Sequence, residues 1–390
     1  MENFLKEENK LFLRTYRRIP INISHGDGVN LIAKDGTKYL DFIGGLGVNA
    51  LGHAHPGISE AINKQTTKFS HLSNYFITDI QLEFTANILK YSNMSKAFLT
   101  NSGTEAVEAA IKIIRRSKGS EGEIFSLTNS FHGRTYGALS LTDRKEYKTG
   151  FEPLLTNIST IRFNDTEDLE SKIDEKTAAV FIEFLQGESG LNLISTKFVD
   201  LLTELRQKYN FAIVADCIQS GVGRTGKPFA FNHFEITPDI VLIAKSIGGG
   251  LPLGAMLTKN EFDESFLYGA HGTTFGGNPV SCAAGIIVLE EVFENGLMKN
   301  AEELGNYFKN ELEELKKLFP NKLKKIRGLG FMIGVEMNDN CTLLVQKLLK
   351  KNVLANCTNK NVLRLLPPLI TTKNDIDFFL YNFHKTLKEI

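Results

Sequence analysis

Phe211-Ala212-Ile213-Val214-Ala215-Asp216 and Ile240-Val241-Leu242-Ile243-Ala244-Lys245 are continuous apolar runs of strand length, and each ends on a charge. Unbroken apolarity over a strand implies burial on both faces, the condition of a parallel sheet covered by helices. Residues 97–100 and 178–183 read the same way. The helical pattern of 198–209, lying between 178–183 and 211–216, completes a βαβ unit. Strand-length runs alternate with amphipathic segments from about 56 to 290, which predicts an α/β domain. After Gly277-Asn278-Pro279 a long helical region is expected over 280–319, closed by Pro320. The remainder mixes a strand at 331–337 with helices at 343–351 and 375–388 and reads as a smaller α+β lobe. The first 55 residues read as short strands and turns, with Asp35-Gly36 as a two-residue hairpin between 29–33 and 38–42.

The chain has 390 residues, with 45 basic and 45 acidic side chains. A general nucleic-acid or acidic-membrane binder carries a basic excess, which is absent here. Residues 1–10 are polar with both signs of charge, unlike a secretory signal, and no apolar run approaches the ~20 residues of a membrane helix. Cys217, Cys282, Cys341 and Cys357 show no zinc-type spacing and read as thiols of a reducing compartment, with no disulfide framework. A soluble cytoplasmic protein is expected. His53 and His55 have no acidic or cysteine partner at ligand spacing, so no metal site is expected, and Pro56 opens a helix after them.

Ligands of open parallel sheets bind beyond the carboxyl ends of the strands, where Asp216 and Lys245 stand. Either charge alone reads first as the solvated residue after a strand. A third element changes the balance. Asn101-Ser102-Gly103-Thr104-Glu105-Ala106 follows the strand at 97–100 and opens a helix with apolar face Ala106, Ala109, Ala110, Ile113 and Ile114. Ser102 and Glu105 have capping-box spacing, and a small-residue helix start offers free amides and a positive dipole end to an anion. A phosphate cradle, an acid and an amine at one sheet rim meet the needs of pyridoxal phosphate. The run Gly221–Lys227 imitates a nucleotide-binding P-loop, but Pro228 has no hydroxyl for magnesium and no helix pattern follows. An ATP-using enzyme is the disfavoured reading.

Further motifs occur in order: Tyr39-Leu40-Asp41-Phe42, Asn49-Ala50-Leu51-Gly52-His53, Phe131-His132-Gly133-Arg134-Thr135, Gln186-Gly187-Glu188, His271-Gly272-Thr273-Thr274-Phe275-Gly276-Gly277-Asn278-Pro279 and Arg364-Leu365-Leu366-Pro367-Pro368-Leu369. With the stretches above, they make the chain resemble the class III (ω-) aminotransferases over nearly its whole length. The resemblance implies fold type I of the pyridoxal-phosphate enzymes: a large αβα domain (56–290) with a mainly parallel sheet, and a smaller α+β domain from both chain ends (1–55 and 291–390). It implies pyridoxal 5'-phosphate as cofactor, with Lys245 forming the Schiff base, Asp216 on the pyridine nitrogen and Gln219 near the phenolic oxygen. Ser102, Gly103 and Thr104 would hold the phosphate, and Phe131 would stack on the ring. Thr274 would reach the phosphate of a neighbouring subunit, which implies a homodimer with shared active sites.

The resemblance further implies transfer of the δ-amino group of N-acetylornithine to 2-oxoglutarate, in arginine biosynthesis. Ornithine, N-succinylornithine and 4-aminobutyrate are the alternative donors. A guanidinium binds carboxylate bidentately. Arg134 would take the donor's α-carboxylate and later the distal carboxylate of 2-oxoglutarate, whose α-carboxylate goes to Arg364. Glu188 would neutralise Arg364 while the donor is bound. Two positions depart from the family pattern: Cys217 replaces a glutamate beside Asp216, and Phe184 replaces a proline after Glu183.

Overall fold

The computed structural model describes residues 2–390. Its central sheet has seven strands in the order Lys96–Thr100, Gly254–Thr258, Ile240–Ile243, Ala212–Asp216, Thr177–Ile182, Glu123–Leu127 and Ile158–Ile161. Gly254–Thr258 runs antiparallel to both its neighbours, and the other adjacent pairs are parallel. The βαβ unit is present: Thr177–Ile182 and Ala212–Asp216 pair in parallel, joined through the helix Thr196–Tyr209.

The apolar runs are buried on both faces because helices cover both. Ile240 and Leu242 pack into the cluster with Ala106, Ala110 and Ile114 of the helix Gly103–Lys118. The alternate residues Val241 and Ile243 join the cluster on the opposite face, with Phe198 and Leu202 of Thr196–Tyr209. Each of the Ile, Val, Leu and Phe side chains contributes roughly 1.5–3 kcal/mol by leaving water, the alanines less. The alanines of Gly103–Lys118 let its backbone lie close to the sheet, which brings its first turn to the sheet's carboxyl edge.

Two smaller sheets flank this core. One orders Ile23–Asp27, Asn30–Ala33, Lys38–Asp41 and Val353–Leu354, so Leu40 pairs with Val353 across the two ends of the chain. The other orders Leu323–Leu329, Met332–Met337, Val362–Leu365 and Asn356–Thr358. Arg364 lies on an inner strand of this second sheet. No helix among the described residues is long and apolar enough to cross a membrane.

Several local expectations need correction. The hairpin at Asp35-Gly36 has three loop residues: Gly36 N–H donates to Ala33 O, Ala33 N–H donates to Thr37 O, and Gly36 takes φ +87°. A glycine in that conformation ends a three-residue turn with a bulge. The first segment contains a helix, Glu2–Leu11, where strands and turns were expected. The helical region at 280–319 is two helices, Pro279–Phe293 and Leu297–Leu318, separated at Gly296, whose φ of +92° cannot continue a helix. Cys341 and Cys357 form a disulfide. The chain turns back after the helix Thr342–Leu349, bringing the strand Asn356–Thr358 beside the start of that helix, so the two Cα atoms stand 5.9 Å apart. The expectation of four free thiols is wrong at this pair, and the reducing-compartment reading loses that support.

Candidate active site

Beyond the carboxyl ends of Ala212–Asp216 and Ile240–Ile243 opens a cavity of ≈ 460 Å³. Ser102, Gly103, Thr104, Phe131, Arg134, Glu188, Asp216, Gln219 and Lys245 all line it. Arg364 stands behind Glu188 and Gln219, in hydrogen-bond contact with both. Thr274 does not join them: it is exposed on the loop before the helix Pro279–Phe293.

Lys245 is separated from its strand by Ala244 and has φ +54°, the left-handed region. A lysine held there costs of order 1–2 kcal/mol and persists only where its surroundings impose it. Gly249, also left-handed, closes the same turn, and a Cβ on it would lie 2.8 Å from Ile58 Cδ1. Burial, assisted by the Arg364 charge, lowers the Lys245 pKa to about 8 against the pull of Glu188 and Asp216. An amine with that pKa is a usable nucleophile near neutral pH. Reductive methylation of the cofactor-free protein is therefore expected to reach half its maximal rate at Lys245 near pH 8, well below the pH needed by surface lysines. Peptide mass spectrometry across pH 6–11 reads this, and a midpoint shared with surface lysines refutes it.

Asp216 is buried and anchored through both oxygens. Its Oδ2 lies 2.7 Å from His132 Nδ1, and its Oδ1 accepts from the Ile218 N–H at 3.0 Å. Burial alone would lower the His132 pKa, but the Asp216 carboxylate outweighs it and the net shift is upward. His132 Nε2 is buried with no hydrogen-bond partner among the described residues. Beside this pair, burial lifts Glu183 to about 7. Glu183 ties two loops together, accepting from the Phe131 N–H at 3.0 Å and the Gly187 N–H at 3.2 Å. Neither His132 nor Glu183 was among the sequence-predicted site residues. His132 lay inside the quoted Phe131–Thr135 motif, but nothing in one sequence pairs it with a strand end 84 residues away.

The helix Gly103–Lys118 points its first turn at the cavity. Ser102 is its N-cap, and its Oγ accepts from the Glu105 N–H at 3.4 Å. The capping box is shifted, however: the Glu105 carboxylate accepts from the N–H and side-chain amide of Asn101, at 3.0 and 2.9 Å. The amides of Gly103 and Thr104 belong to the first turn, where no intrahelical acceptor exists, and they sit at the positive end of the helix. Gly103 is required by contact, since a Cβ would lie 2.7 Å from Ile218 Cδ1. At Gly133 (φ +136°) a Cβ would lie 2.4 Å from Thr104 Oγ1. An anion cradle, a buried carboxylate and a low-pKa amine around one cavity suit a phosphorylated pyridine aldehyde, and the residues present fit pyridoxal 5'-phosphate.

Two arginines serve the cavity in unequal states, Arg134 lining it and Arg364 behind Glu188. The Arg134 guanidinium stacks 3.5 Å from the Tyr147 ring centroid and 5.7 Å from that of Phe131, and no carboxylate pairs with it among the described residues. The Arg364 side chain is 2 % exposed, and its Nη1 donates to Glu188 Oε1 at 2.5 Å. Its Nε donates to Asn356 Oδ1 at 3.3 Å. Burial alone would raise the Glu188 pKa, but the Arg364 charge and hydrogen bond overcome this and hold it below its ordinary value. Tyr147 and Asn356 are further contacts that the sequence did not single out. The two departures from the family pattern fall in the core: Cys217 is buried with its thiol pKa pushed up by burial, and Phe184 packs on Phe234 at 5.5 Å. Neither lines the cavity.

An α/β fold with an amine, an acid and a phosphate-ready helix at one sheet edge defines a pyridoxal-phosphate type of site. The chain belongs to the class-III aminotransferases, whose family model matches residues 12–387. Acetylornithine aminotransferase of Aquifex aeolicus is 43% identical over 370 residues, covering 94% of this chain and 96% of that one. The enzyme of the same name from Methanocaldococcus jannaschii is 42% identical, covering 100% of this chain and 99% of its own. Among solved structures, acetylornithine aminotransferase from Elizabethkingia anophelis matches with a TM-score of 0.90 at 31% identity, covering 100% of this chain and 99% of that one. Ornithine aminotransferase from Toxoplasma gondii matches with a TM-score of 0.96 at 28% identity, covering 100% and 95%. The fold is accordingly that of the pyridoxal-phosphate aminotransferases, and the cofactor of this family is pyridoxal 5'-phosphate.

Proposed function

We propose that this aminotransferase moves the δ-amino group of N-acetylornithine to 2-oxoglutarate, giving N-acetylglutamate semialdehyde and glutamate, as a step in arginine biosynthesis. One observation carries the reading: among the described residues no carboxylate pairs with Arg134, while Arg364 is masked by Glu188. A donor with one carboxylate and a reacting amine at the far end needs one guanidinium, and a second bare cation would repel that amine. A dicarboxylic acceptor needs both. Glu188 on Arg364 suits the donor, and its withdrawal suits 2-oxoglutarate. The names of the relatives agree with this donor.

When bound, the cofactor supplies an aldehyde for amine capture and an electron-withdrawing ring. In this reading Lys245 holds it covalently and, once displaced, moves a proton at the reacting carbon of the substrate. Asp216, held in place by His132 Nδ1, stabilises the proton on the pyridine nitrogen. Gln219 stands near the phenolic oxygen and Phe131 stacks on the ring. Ser102 and the amides of Gly103 and Thr104 hold the phosphate. Residues 56–290 form the cofactor-binding domain, and 1–55 with 291–390 form the smaller one. A second copy of the chain completes the site, its Thr274 reaching the phosphate. Support for the homodimer comes from the exposed apolar side chains Tyr75, Phe76, Ile77, Leu267, Tyr268 and Phe275 around the Thr274 loop. That loop is tied to residues 74–81 by Asn74 Nδ2 donating to Thr273 O at 3.2 Å and Gln81 Nε2 donating to Gly277 O at 2.7 Å.

Glutamate formation from 2-oxoglutarate, measured with N-acetylornithine, ornithine, N-succinylornithine and 4-aminobutyrate, tests the assignment. The acetylated donor is expected to show the highest kcat/KM. Faster turnover of another donor reassigns the amine, and no glutamate from any of them removes the keto-acid reading. Glu188→Ala is expected to slow the donor half-reaction by about tenfold and the acceptor half-reaction by much less, since only the first needs Arg364 masked. Equal losses in single-turnover measurements of the two halves contradict the gate.

A further inference from the structure

The short helical turn Lys145–Lys148, with Arg144 just before it, touches both halves of the carboxylate-recognising wall. Tyr147 lies face-on under the Arg134 guanidinium at 3.5 Å and stands edge-on to Phe131 at 6.0 Å. From the same turn, Arg144 Nη2 donates to the Glu188 carbonyl at 2.7 Å. That carbonyl also accepts from Thr358 Oγ1, on the strand Asn356–Thr358 that carries Asn356 against Arg364. The Glu188 peptide is therefore held from two sides, while among the described residues its carboxylate is held by Arg364. Arg144 is 12% exposed, and its ion-pair partner Glu146, 3.7 Å away, is 61% exposed. So weak a surface pair leaves the Glu188 carbonyl as the main commitment of Arg144.

We propose that residues 144–147 are the positioning element for both carboxylate contacts, Tyr147 aiming Arg134 into the cavity and Arg144 pinning the Glu188 peptide. This rests on the roles given to Arg134 and Glu188 under the proposed function. An exposed arginine without a partner samples many rotamers and loses that freedom when it binds. A salt bridge would orient it but would consume the edges that a substrate carboxylate needs. An aromatic face orients the guanidinium plane and leaves its N–H edges free. At Glu188 the carbonyl has two lone pairs and both are used, by Arg144 and Thr358. With its peptide fixed, the gate opens by side-chain rotation alone, and the loop through Gly187, held by Glu183, stays in place.

Four variants of the holoenzyme, with a fifth in reserve, test this. Tyr147→Leu is expected to raise KM for both donor and 2-oxoglutarate about tenfold with kcat changed less than about twofold, and Tyr147→Phe, which keeps the ring face, to restore both. Arg144→Met is expected to slow the donor half-reaction about tenfold and leave the acceptor half within about twofold. Unchanged KM values in Tyr147→Leu, or a Phe variant that behaves like Leu, overturn the aromatic shelf. Equal slowing of both halves in Arg144→Met, or slowing of neither, overturns the clamp. Should thermal melting show that Tyr147→Leu does not fold, Tyr147→Met carries the same comparison. Arg134→Leu separates the two levels: if it leaves both KM values unchanged, the carboxylate-wall reading itself fails. If it raises them about a hundredfold while Tyr147→Leu leaves them unchanged, only the positioning proposal fails.

Discussion

Lys245→Ala is expected to lower glutamate formation by a factor on the order of 10⁴ or more, because in the proposed mechanism one side chain is both the covalent anchor and the mobile proton acceptor. The fold should survive. Lys245 sits in a left-handed conformation at the end of a buried strand, and alanine in that conformation carries the same backbone strain without a desolvated amine. The thermal midpoint of the cofactor-free variant is therefore expected to be no lower than that of the parent below pH 8. The sign follows from the lowered pKa: an amine whose proton is harder to hold in the folded state destabilises it at any pH where the unfolded chain is protonated. Turnover and melting must be measured on the same preparation. Near-normal turnover in a folded variant ends the proposed role of Lys245, and so does borohydride treatment of the holoprotein that leaves no cofactor mass on this residue.

Asp216→Asn is expected to cut turnover by roughly 10³, the second largest effect. A neutral amide keeps the shape and the Ile218 amide contact but cannot stabilise a positive charge on the ring nitrogen. Its second consequence is felt at His132. The carboxylate raises the His132 pKa above 6.5, so its stabilisation is full below that pH and fades as pH rises through the folded value. In the variant the side-chain amide meets a neutral imidazole instead. The difference in thermal midpoint between parent and variant, both free of cofactor, should therefore be larger at pH 6 than at pH 9. Glu183 is lifted to about 7 and feels the charges of both Asp216 and His132, so the comparison is made with Glu183→Gln in both proteins. A pH-independent difference, or a variant with near-parental kcat, removes Asp216 from the electrostatic role.

The strands and the two charges at their ends were legible because a buried parallel strand writes itself as an unbroken apolar run, and a charge closing such a run is conspicuous. The helix Gly103–Lys118 was legible for the same local reason, through its period and its cap. What failed to show was whatever depends on two distant segments meeting. Gly254–Thr258 is short and bears no mark of sitting antiparallel between Lys96–Thr100 and Ile240–Ile243. His132 finds Asp216, Tyr147 finds Arg134 and Arg144 finds Glu188 only through loop conformations that carry no periodicity. Cys341 and Cys357 belong with these, since a reversal of the chain closes that pair. The shifted bond of Glu105 to Asn101 differs in kind: the residue types matched a cap, and a neighbouring amide won the carboxylate.

Pairing of Leu40 with Val353 has a consequence for how a ribosome delivers this protein. Strands Ile23–Asp27 to Lys38–Asp41 emerge early, yet the free edge of Lys38–Asp41 has no neighbour until almost the entire polypeptide has been translated. Loop closure over such a span is slow and leaves a sticky margin open in the meantime. The lobe with the amine and the acid needs nothing from the last hundred residues for its central sheet, so it can condense first. Arg364 arrives afterwards, so on the role proposed for it substrate discrimination is the final property the nascent chain acquires.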